Sequence, residues 1–279
     1  MGNNSIFNSV ECIDKWKLAE LNELVSQIED DMVEKTNDIK LGKNYSNIIL
    51  RIMSSSIVRM REILCLCSCG YPDGAMSLAR LLCEHAVTLY FLETSESDDL
   101  TGIVANYHNN YEIQRLKTLK FVSEQIEHNQ QRTQALQKEL DVFTSNIADY
   151  KRGNKRDYWW ANMSTFASMF DEVIKRSDKI DGPNLILPTL YVDYKLSCLK
   201  THSSVLGNVW GIGKSKDITV IDTSATIQGH NLPLRMAVKA FAIITYISFT
   251  NLSLDYEKYK GALNDLLFFY DSKKSDFEK

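Results

Sequence analysis

The chain has 279 residues, of which 44% are hydrophobic and 24% are charged, so its composition is that of an ordinary globular protein with a sizeable core. A formal net charge of −4 excludes a basic surface over the whole protein of the kind that binds duplex DNA. The charge is uneven, because residues 151–216 carry 11 Lys and Arg against 6 Asp and Glu. An anionic partner would therefore be attracted to the middle of the chain.

The six cysteines indicate the compartment. Three of them crowd into CLCSC at 65–69, which has neither the paired spacing of a zinc site nor the spread of a disulfide framework. We therefore expect reduced thiols in a cytoplasmic protein. No basic-then-apolar leader is visible, and the longest apolar run, near 236–249, contains Lys239. We expect neither secretion nor a membrane span.

Only 4 prolines and 12 glycines occur, and alternation typical of strands is nearly absent, so the sequence predicts an all-α fold. A first helix is expected over about 9–40 and a second over about 45–69. The GYPDG turn at 70–74 then predicts a helical hairpin. Asp73 is the expected N-cap of a third, central helix that runs to residue 93.

Residues 103–152 contain neither Gly nor Pro, and they become more polar after Glu124. They are compatible with one long helix or with a helical hairpin. Because the segment 128–141 is polar on most faces, we expect it to project from the body or to contact a protein partner, with an ordinary surface helix as the alternative.

The remaining elements follow from the same signals. A basic loop at 151–157 leads into an amphipathic helix anchored by Trp159 and Trp160, and another helix starts near Pro188. A small irregular or β-hairpin insert is expected near 208–230, where glycines flank a β-leaning run, and two helices follow over about 233–252 and 255–271. We predict a single domain over 1–279, with its core in 45–207 and 231–271.

The third helix is apolar almost all round, yet it carries a polar stripe of Ser77, Arg80, Glu84 and Thr88, with His85 at the edge. On a buried helix such a stripe must be paired or must face a cleft. The structural interpretation is an ion pair between Arg80 and Glu84, which are four residues apart. The functional interpretation is that Arg80 binds an anion such as phosphate, while Glu84 or His85 transfers protons.

Arg80 and His85 also have the spacing of the Rx4–6H motif of HEPN ribonucleases, which this segment resembles. In that family the Arg and His act on the RNA backbone without a metal ion. The resemblance implies catalytic roles for Arg80 and His85.

A second polar group lies downstream, where Tyr194, Cys198 and His202 share one helix face. His202 is either a cleft residue or a hydrogen-bonded core histidine. Together with LxRxxxEHxxxLYFL at 78–92, Tyr107 and a Trp-containing helix, YKLSCLKTHSS at 194–204 resembles the all-helical bacterial family of unknown function DUF5677. The residues that match are Arg80, Glu84, Tyr90, Tyr194 and His202. This resemblance implies a HEPN-like bundle in which Arg80, Glu84 and His202 meet.

These observations lead to two functional hypotheses. The first is a HEPN-like protein of bacterial defence or toxin type that acts on RNA or a nucleotide. It would use Arg80, Glu84, His85 and His202 as catalytic residues, with substrate contacts from Tyr194, Lys151, Arg152, Lys155 and Arg156. The alternative is a non-enzymatic scaffold or regulatory module with a structural Arg/Glu/His centre. Because the five histidines form no ligand set, we expect neither metal nor cofactor. A homodimer or a protein partner is expected through 103–152.

Overall fold

The computed structural model describes residues 15–36, 44–152, 157–180, 185–201, 212–214, 219–221 and 229–272. The described residues form ten α-helices, so the predicted all-α class is confirmed. The helices are α1 (Lys15–Thr36), α2 (Tyr45–Ser68), α3 (Pro72–Glu93), α4 (Ser97–Gln125), α5 (Gln130–Ser145), α6 (Ala148–Arg152), α7 (Phe166–Lys175), α8 (Leu187–Thr201), α9 (Asn231–Leu252) and α10 (Glu257–Ser272).

Two three-residue strands, β1 (Ile212–Lys214) and β2 (Thr219–Ile221), pair antiparallel with Gly213 opposite Val220. The rest of the predicted insert near 208–230 lies outside the described residues apart from 229 and 230. The insert as a whole therefore stays a prediction.

The chain divides into two compact units. The described residues within 1–40, 48–90 and 177–279 form the first unit, and those within 41–47 and 91–176 form the second. The first unit thus combines three separate stretches of the chain, whereas the second is nearly continuous. The expectation of a single domain stays a prediction.

The turn between α2 and α3 follows the predicted signals. Gly70 adopts a left-handed φ of 85°, and the next amide, that of Tyr71, donates to the Leu66 carbonyl at 2.8 Å, which closes the end of α2. Pro72 then occupies the first position of α3, where its missing N–H costs nothing. Asp73 is therefore not the N-cap that we predicted, but an acidic residue in the first turn of the helix.

The core of the first unit is formed by the apolar faces of α2, α3 and α9. Six aliphatic residues of α2 are buried: Ile48, Ile49, Ile52, Ile57, Ile63 and Leu64. Helices α3 and α9 are each long and apolar enough to cross a membrane, but 67% and 89% of their apolar windows are buried inside the protein. Burial of this kind is typical of core helices.

The C-terminal helix α10 is attached to α1 by a polar contact. The Tyr259 hydroxyl donates to Asp31 Oδ2 at 2.7 Å, and Lys258 Nζ lies 2.8 Å from the same oxygen. Tyr259 itself is 1% exposed and packs edge-on against Phe249 of α9, with 5.5 Å between ring centroids. Together these contacts fix α10 against both α1 and α9.

In the second unit, α4 and α5 form a hairpin, which decides between the two alternatives for 103–152. Helix α4 ends at residue 125, His128 adopts a left-handed φ of 51°, and the Asn129 side chain caps α5 by accepting from the Arg132 amide at 3.0 Å. No residue of α5 is buried. The hairpin is thus held by contacts along one partly covered side of α5.

Trp159 and Trp160 anchor the second unit, but not as the start of a helix. They lie in a 3-10 turn, Trp159–Ala161, while α7 begins at residue 166 behind a capping box formed by Thr165 and Ser168. Trp159 Nε1 donates to Asn110 Oδ1 at 2.9 Å. The polar cap, rather than the tryptophans, determines where α7 starts.

Candidate functional site

Helices α3 and α8 bring together four side chains that we call the polar centre: Arg80, Glu84, Tyr194 and Cys198. The guanidinium carbon of Arg80 lies 5.4 Å from the centroid of the Tyr194 ring, and its N–H groups donate to the Tyr194 hydroxyl. Two of the residues, Arg80 and Glu84, come from the predicted stripe on α3. Tyr194 and Cys198 are four residues apart and therefore share one face of α8.

The stripe on α3 runs from solvent into the core. Ser77 is exposed, Arg80 and Glu84 are half-buried, and Thr88 is buried. Arg80 and Glu84 therefore sit where a charged side chain can still reach water while its stem packs against apolar neighbours. Neither charge is therefore fully withdrawn from water.

The environment of Glu84 changes its acidity. Burial raises the pKa of Glu84, and the attraction of Arg80 offsets this only in part. For Arg80 itself, burial lowers the pKa, but the hydrogen bond to Tyr194 and the nearby acidic groups outweigh that effect and raise it. The polar centre thus combines a fixed cation with a carboxyl group that accepts a proton more readily than an ordinary Glu.

Tyr194 and Cys83 line the inner side of the polar centre. Burial raises the pKa of Tyr194 to about 12, against the opposing effect of its hydrogen bond to Arg80. Burial also raises the pKa of the Cys83 thiol, and the negative charge of Glu84 adds to that shift. Both groups therefore stay protonated near neutral pH, and the phenol can act as a hydrogen-bond donor.

The arrangement suits the binding of an oxyanion. A guanidinium offers a planar set of donors that matches phosphate, and the neighbouring phenol adds an O–H donor. Glu84, whose pKa burial raises, is a carboxyl group beside that position that can accept or donate a proton. Among the described residues, no group of three or more His, Cys, Asp and Glu side chains is placed to hold a metal ion.

His85 faces a different neighbour from Arg80. Its Nδ1 lies 3.3 Å from the Ser56 hydroxyl of α2, and Ser56 donates its single proton to the Ile52 carbonyl at 2.7 Å. Ser56 therefore accepts from the Nδ1–H of His85, which leaves Nε2 unprotonated in the neutral ring. The structure thus places Arg80 beside Tyr194 of α8 and His85 beside Ser56 of α2.

His85 predicts a specific pH dependence of stability. Burial, aided by the positive charge of Arg59, lowers its pKa to about 4 from the ordinary value of 6.5. Between these values the unfolded chain binds the proton and the folded one does not, so stability falls as the pH drops from 6.5 to 4 and is unaffected by this group above 7. The full effect is roughly 3 kcal/mol.

Urea denaturation of wild type and His85→Gln at a series of pH values measures this contribution. The free energy of unfolding of the variant should change less steeply than that of wild type over the acidic window, while the difference between the two proteins stays constant above pH ~7. Parallel curves throughout would show that His85 does not titrate with folding.

The side chains of the remaining predicted site residues are not described. His202, Lys155 and Arg156 fall outside the described residues, and Lys151 and Arg152 belong to α6 by their backbone alone. The structure therefore brings together Arg80, Glu84 and Tyr194 from the predicted set. The meeting of Arg80, Glu84 and His202 stays a prediction.

A second charged group was missed by sequence reasoning. Asp193, which immediately precedes Tyr194, is 2% exposed and accepts from Arg235 Nη2 at 2.6 Å and from Lys239 Nζ at 3.0 Å. Lys239, also 2% exposed, further pairs with Asp271 at 2.7 Å. We call these four residues the Asp193 network. The available signal was the pair of cations four residues apart on the otherwise apolar α9.

Comparison with known proteins places the chain in a family. No curated protein and no solved structure was found to match it. The profile of DUF5677, described as a family of unknown function, matches residues 46–215. This range is more than half of the chain, and it contains every residue of the polar centre. The helices that carry the polar centre, α3 and α8, thus both lie within the matched range, and the chain belongs to the family of unknown function DUF5677.

Proposed function

We propose that this protein is a HEPN-like, cytoplasmic protein of bacterial defence or toxin type that binds a phosphate group of RNA or of a nucleotide at the polar centre. The observation that carries the proposal is the Arg80 guanidinium, held against the Tyr194 ring and placed on the same stripe as Glu84, whose pKa is raised. In this proposal α3 is the central helix of the bundle, and 208–230 is an insert.

The charged residues of the polar centre have distinct roles in the proposal. Arg80 holds the phosphate oxygens, because its charge is permanent and its donor fork is already oriented by Tyr194. Glu84 transfers the proton, because burial raises its pKa above that of an ordinary Glu. His202, which follows α8, is proposed as a second proton-transfer group. Lys151, Arg152, Lys155 and Arg156 would contact further phosphates of the substrate.

His85 has a smaller role than the motif alone suggests. Its ring accepts protons only in acid, since its pKa is lowered to about 4, and it bonds to Ser56 on α2. We therefore propose Glu84 rather than His85 as the proton-transfer partner of Arg80 on α3.

Binding of a fluorescein-labelled single-stranded RNA oligonucleotide, followed by anisotropy, tests the role of Arg80. Arg80→Gln should weaken binding roughly tenfold or more, because a hydrogen bond to a charged group contributes about 1.5–3 kcal/mol. The matched control is Arg61→Gln, since Arg61 is an exposed α2 residue paired with Glu29. Glu84→Gln should leave binding intact but slow any cleavage that wild type shows on a gel.

The proposal fails if wild type shows none of three activities: binding of RNA, cleavage of RNA and binding of a labelled nucleotide. It also fails if Arg80→Gln binds as wild type does while it remains folded. Equal losses in Arg80→Gln and Arg61→Gln would indicate non-specific attraction of the anion rather than a site.

A second candidate function is a scaffold that contacts a protein, either another copy of the chain or a different partner. The observation in its favour is the α4–α5 hairpin, where no residue of α5 is buried and several large apolar side chains are exposed: Tyr111, Phe121, Ile126 and Val142. In this alternative these side chains form one apolar patch, and contiguous exposed patches mark interaction surfaces. In this alternative Arg80→Gln lowers the melting temperature and has no effect on RNA.

A further inference from the structure

The Asp193 network joins α8 to α9 by two contacts to one carboxylate. Arg235 Nε lies 3.1 Å from Asp193 Oδ1 and 3.2 Å from Oδ2, and its Nη2 lies 2.6 Å from Oδ1. Lys239 Nζ donates to Asp193 Oδ2 at 3.0 Å. Both carboxylate oxygens are therefore used, and the two cations come from successive turns of α9.

Stability alone is a poor reason for such a network. Removing Asp193 and Lys239 from water is costly, and well-packed apolar residues of similar volume are often as stabilising as a buried ion pair. What the charges add is geometry, because a carboxylate held by three N–H directions fixes the helix that carries it in both rotation and register. An apolar contact between α8 and α9 would permit small slides that this network excludes.

Asp193 and Tyr194 are consecutive residues of α8, so their side chains point about 100° apart. Asp193 is directed to Arg235 and Lys239 on α9, while Tyr194 contacts Arg80 on α3. The contact of Asp193 with α9 therefore determines where the Tyr194 side chain points. If α8 rotated about its axis, the Tyr194 ring would leave the Arg80 guanidinium.

We infer that Asp193, Arg235 and Lys239 are positioning residues, which hold α8 so that Tyr194 and Cys198 face Arg80. The inference rests on the proposed function for its effect on ligand binding, but not for its effect on Tyr194. A misplacement of about 1 Å in a binding group can cost as much as 100-fold in rate. The gain from holding α8 in place can therefore offset the free energy lost by desolvating the charges of the network.

The test uses the full-length protein labelled with 3-fluorotyrosine and observed by 19F NMR. The Tyr194 resonance is assigned by Tyr194→Phe, and Tyr259 is the reference because its hydroxyl bonds to Asp31 of α1 and not to a residue of the network. The variant replaces the network by apolar residues: Asp193→Leu, Arg235→Met and Lys239→Met together. Asp271, which is 47% exposed in its side chain, stays solvated when Lys239 is replaced.

The expected result is a folded triple variant in which the Tyr194 resonance shifts or broadens while the Tyr259 resonance does not move. The effect of Arg80→Gln on the Tyr194 resonance is a second readout. This substitution should shift the resonance when it is made in wild type, but not when it is made in the triple variant. Binding of the labelled RNA should fall about tenfold, the change that a loss of about 1.4 kcal/mol produces.

A Tyr194 resonance identical to that of wild type in the folded triple variant overturns the inference. If wild type binds no RNA, the proposed function fails. The Tyr194 resonance still shows whether the network positions Tyr194. If the triple variant does not fold, Asp193→Glu gives the same reading, because it keeps the charge and displaces it by one methylene. A positioning role requires that the Tyr194 resonance move in that variant as well.

Discussion

Asp193→Ala is expected to lower the free energy of unfolding by about 3–5 kcal/mol, because it removes the buried carboxylate that two cations share. Lys239 is 2% exposed, and among the described residues it then pairs with the partly exposed Asp271 alone. The loss exceeds what the ion pair itself contributes, since most of it is the cost of an uncompensated charge in the core. Urea denaturation followed by circular dichroism measures it.

Glu29→Ala is the matched control for this variant. It also removes a carboxylate from an interhelical pair, in this case with Arg61, but the two side chains are 33% and 45% exposed. A solvated pair contributes at most about 1 kcal/mol, so the control should lose little. Equal losses in the two variants would show that burial of the Asp193 network does not determine its energetic role.

Trp160→Ala is expected to destabilise the second unit by about 3–5 kcal/mol, the usual cost of removing a buried aromatic side chain. Trp160 is 4% exposed, and its ring packs edge-on against Tyr107 and Phe91, with centroid separations of 4.9 and 6.1 Å. The variant loses both the burial of the indole and these aromatic contacts. Hydrogen exchange of the amides in α4 reports the loss where it occurs.

Phe121→Ala provides the comparison, because Phe121 lies on α4 and is 60% exposed. Its removal leaves no cavity, so stability should change by less than about 0.5 kcal/mol. The expectation for Trp160 is contradicted if α4 exchanges as slowly in Trp160→Ala as in Phe121→Ala.

The helices of this protein could be predicted where local chemistry marks their ends. The hairpin of α2 and α3 was predictable because Gly70 and Pro72 terminate one helix and start the next. The α4–α5 hairpin was not, since residues 103–152 contain neither Gly nor Pro. There the break is made by His128 in a left-handed conformation and by the cap from Asn129, and both residue types also occur inside helices.

The site shows a similar division. Arg80 and Glu84 could be found because a charged stripe on an apolar helix is visible in one turn of sequence. Spacing placed Tyr194 on one helix face with Cys198, but its contact with Arg80 depends on how α3 and α8 pack. For the Asp193 network, the sequence signalled only that the two cations on the apolar α9 need an acidic partner. It did not identify that partner, because Asp193 bonds to residues 42 and 46 positions away.

The charges on α3 and α9 have a consequence for synthesis as well as for the folded protein. Each helix is 22 residues long and apolar enough to resemble a membrane span, so an insertion machinery would encounter two candidate segments in the nascent chain. Arg80 lies near the middle of α3, and Arg235 and Lys239 lie in the first half of α9. Each such cation adds up to about 2.5–3.5 kcal/mol to the cost of insertion at the centre of a bilayer. The same side chains that build the polar centre and its support thus disfavour transfer of these helices into lipid before their partners have been synthesised.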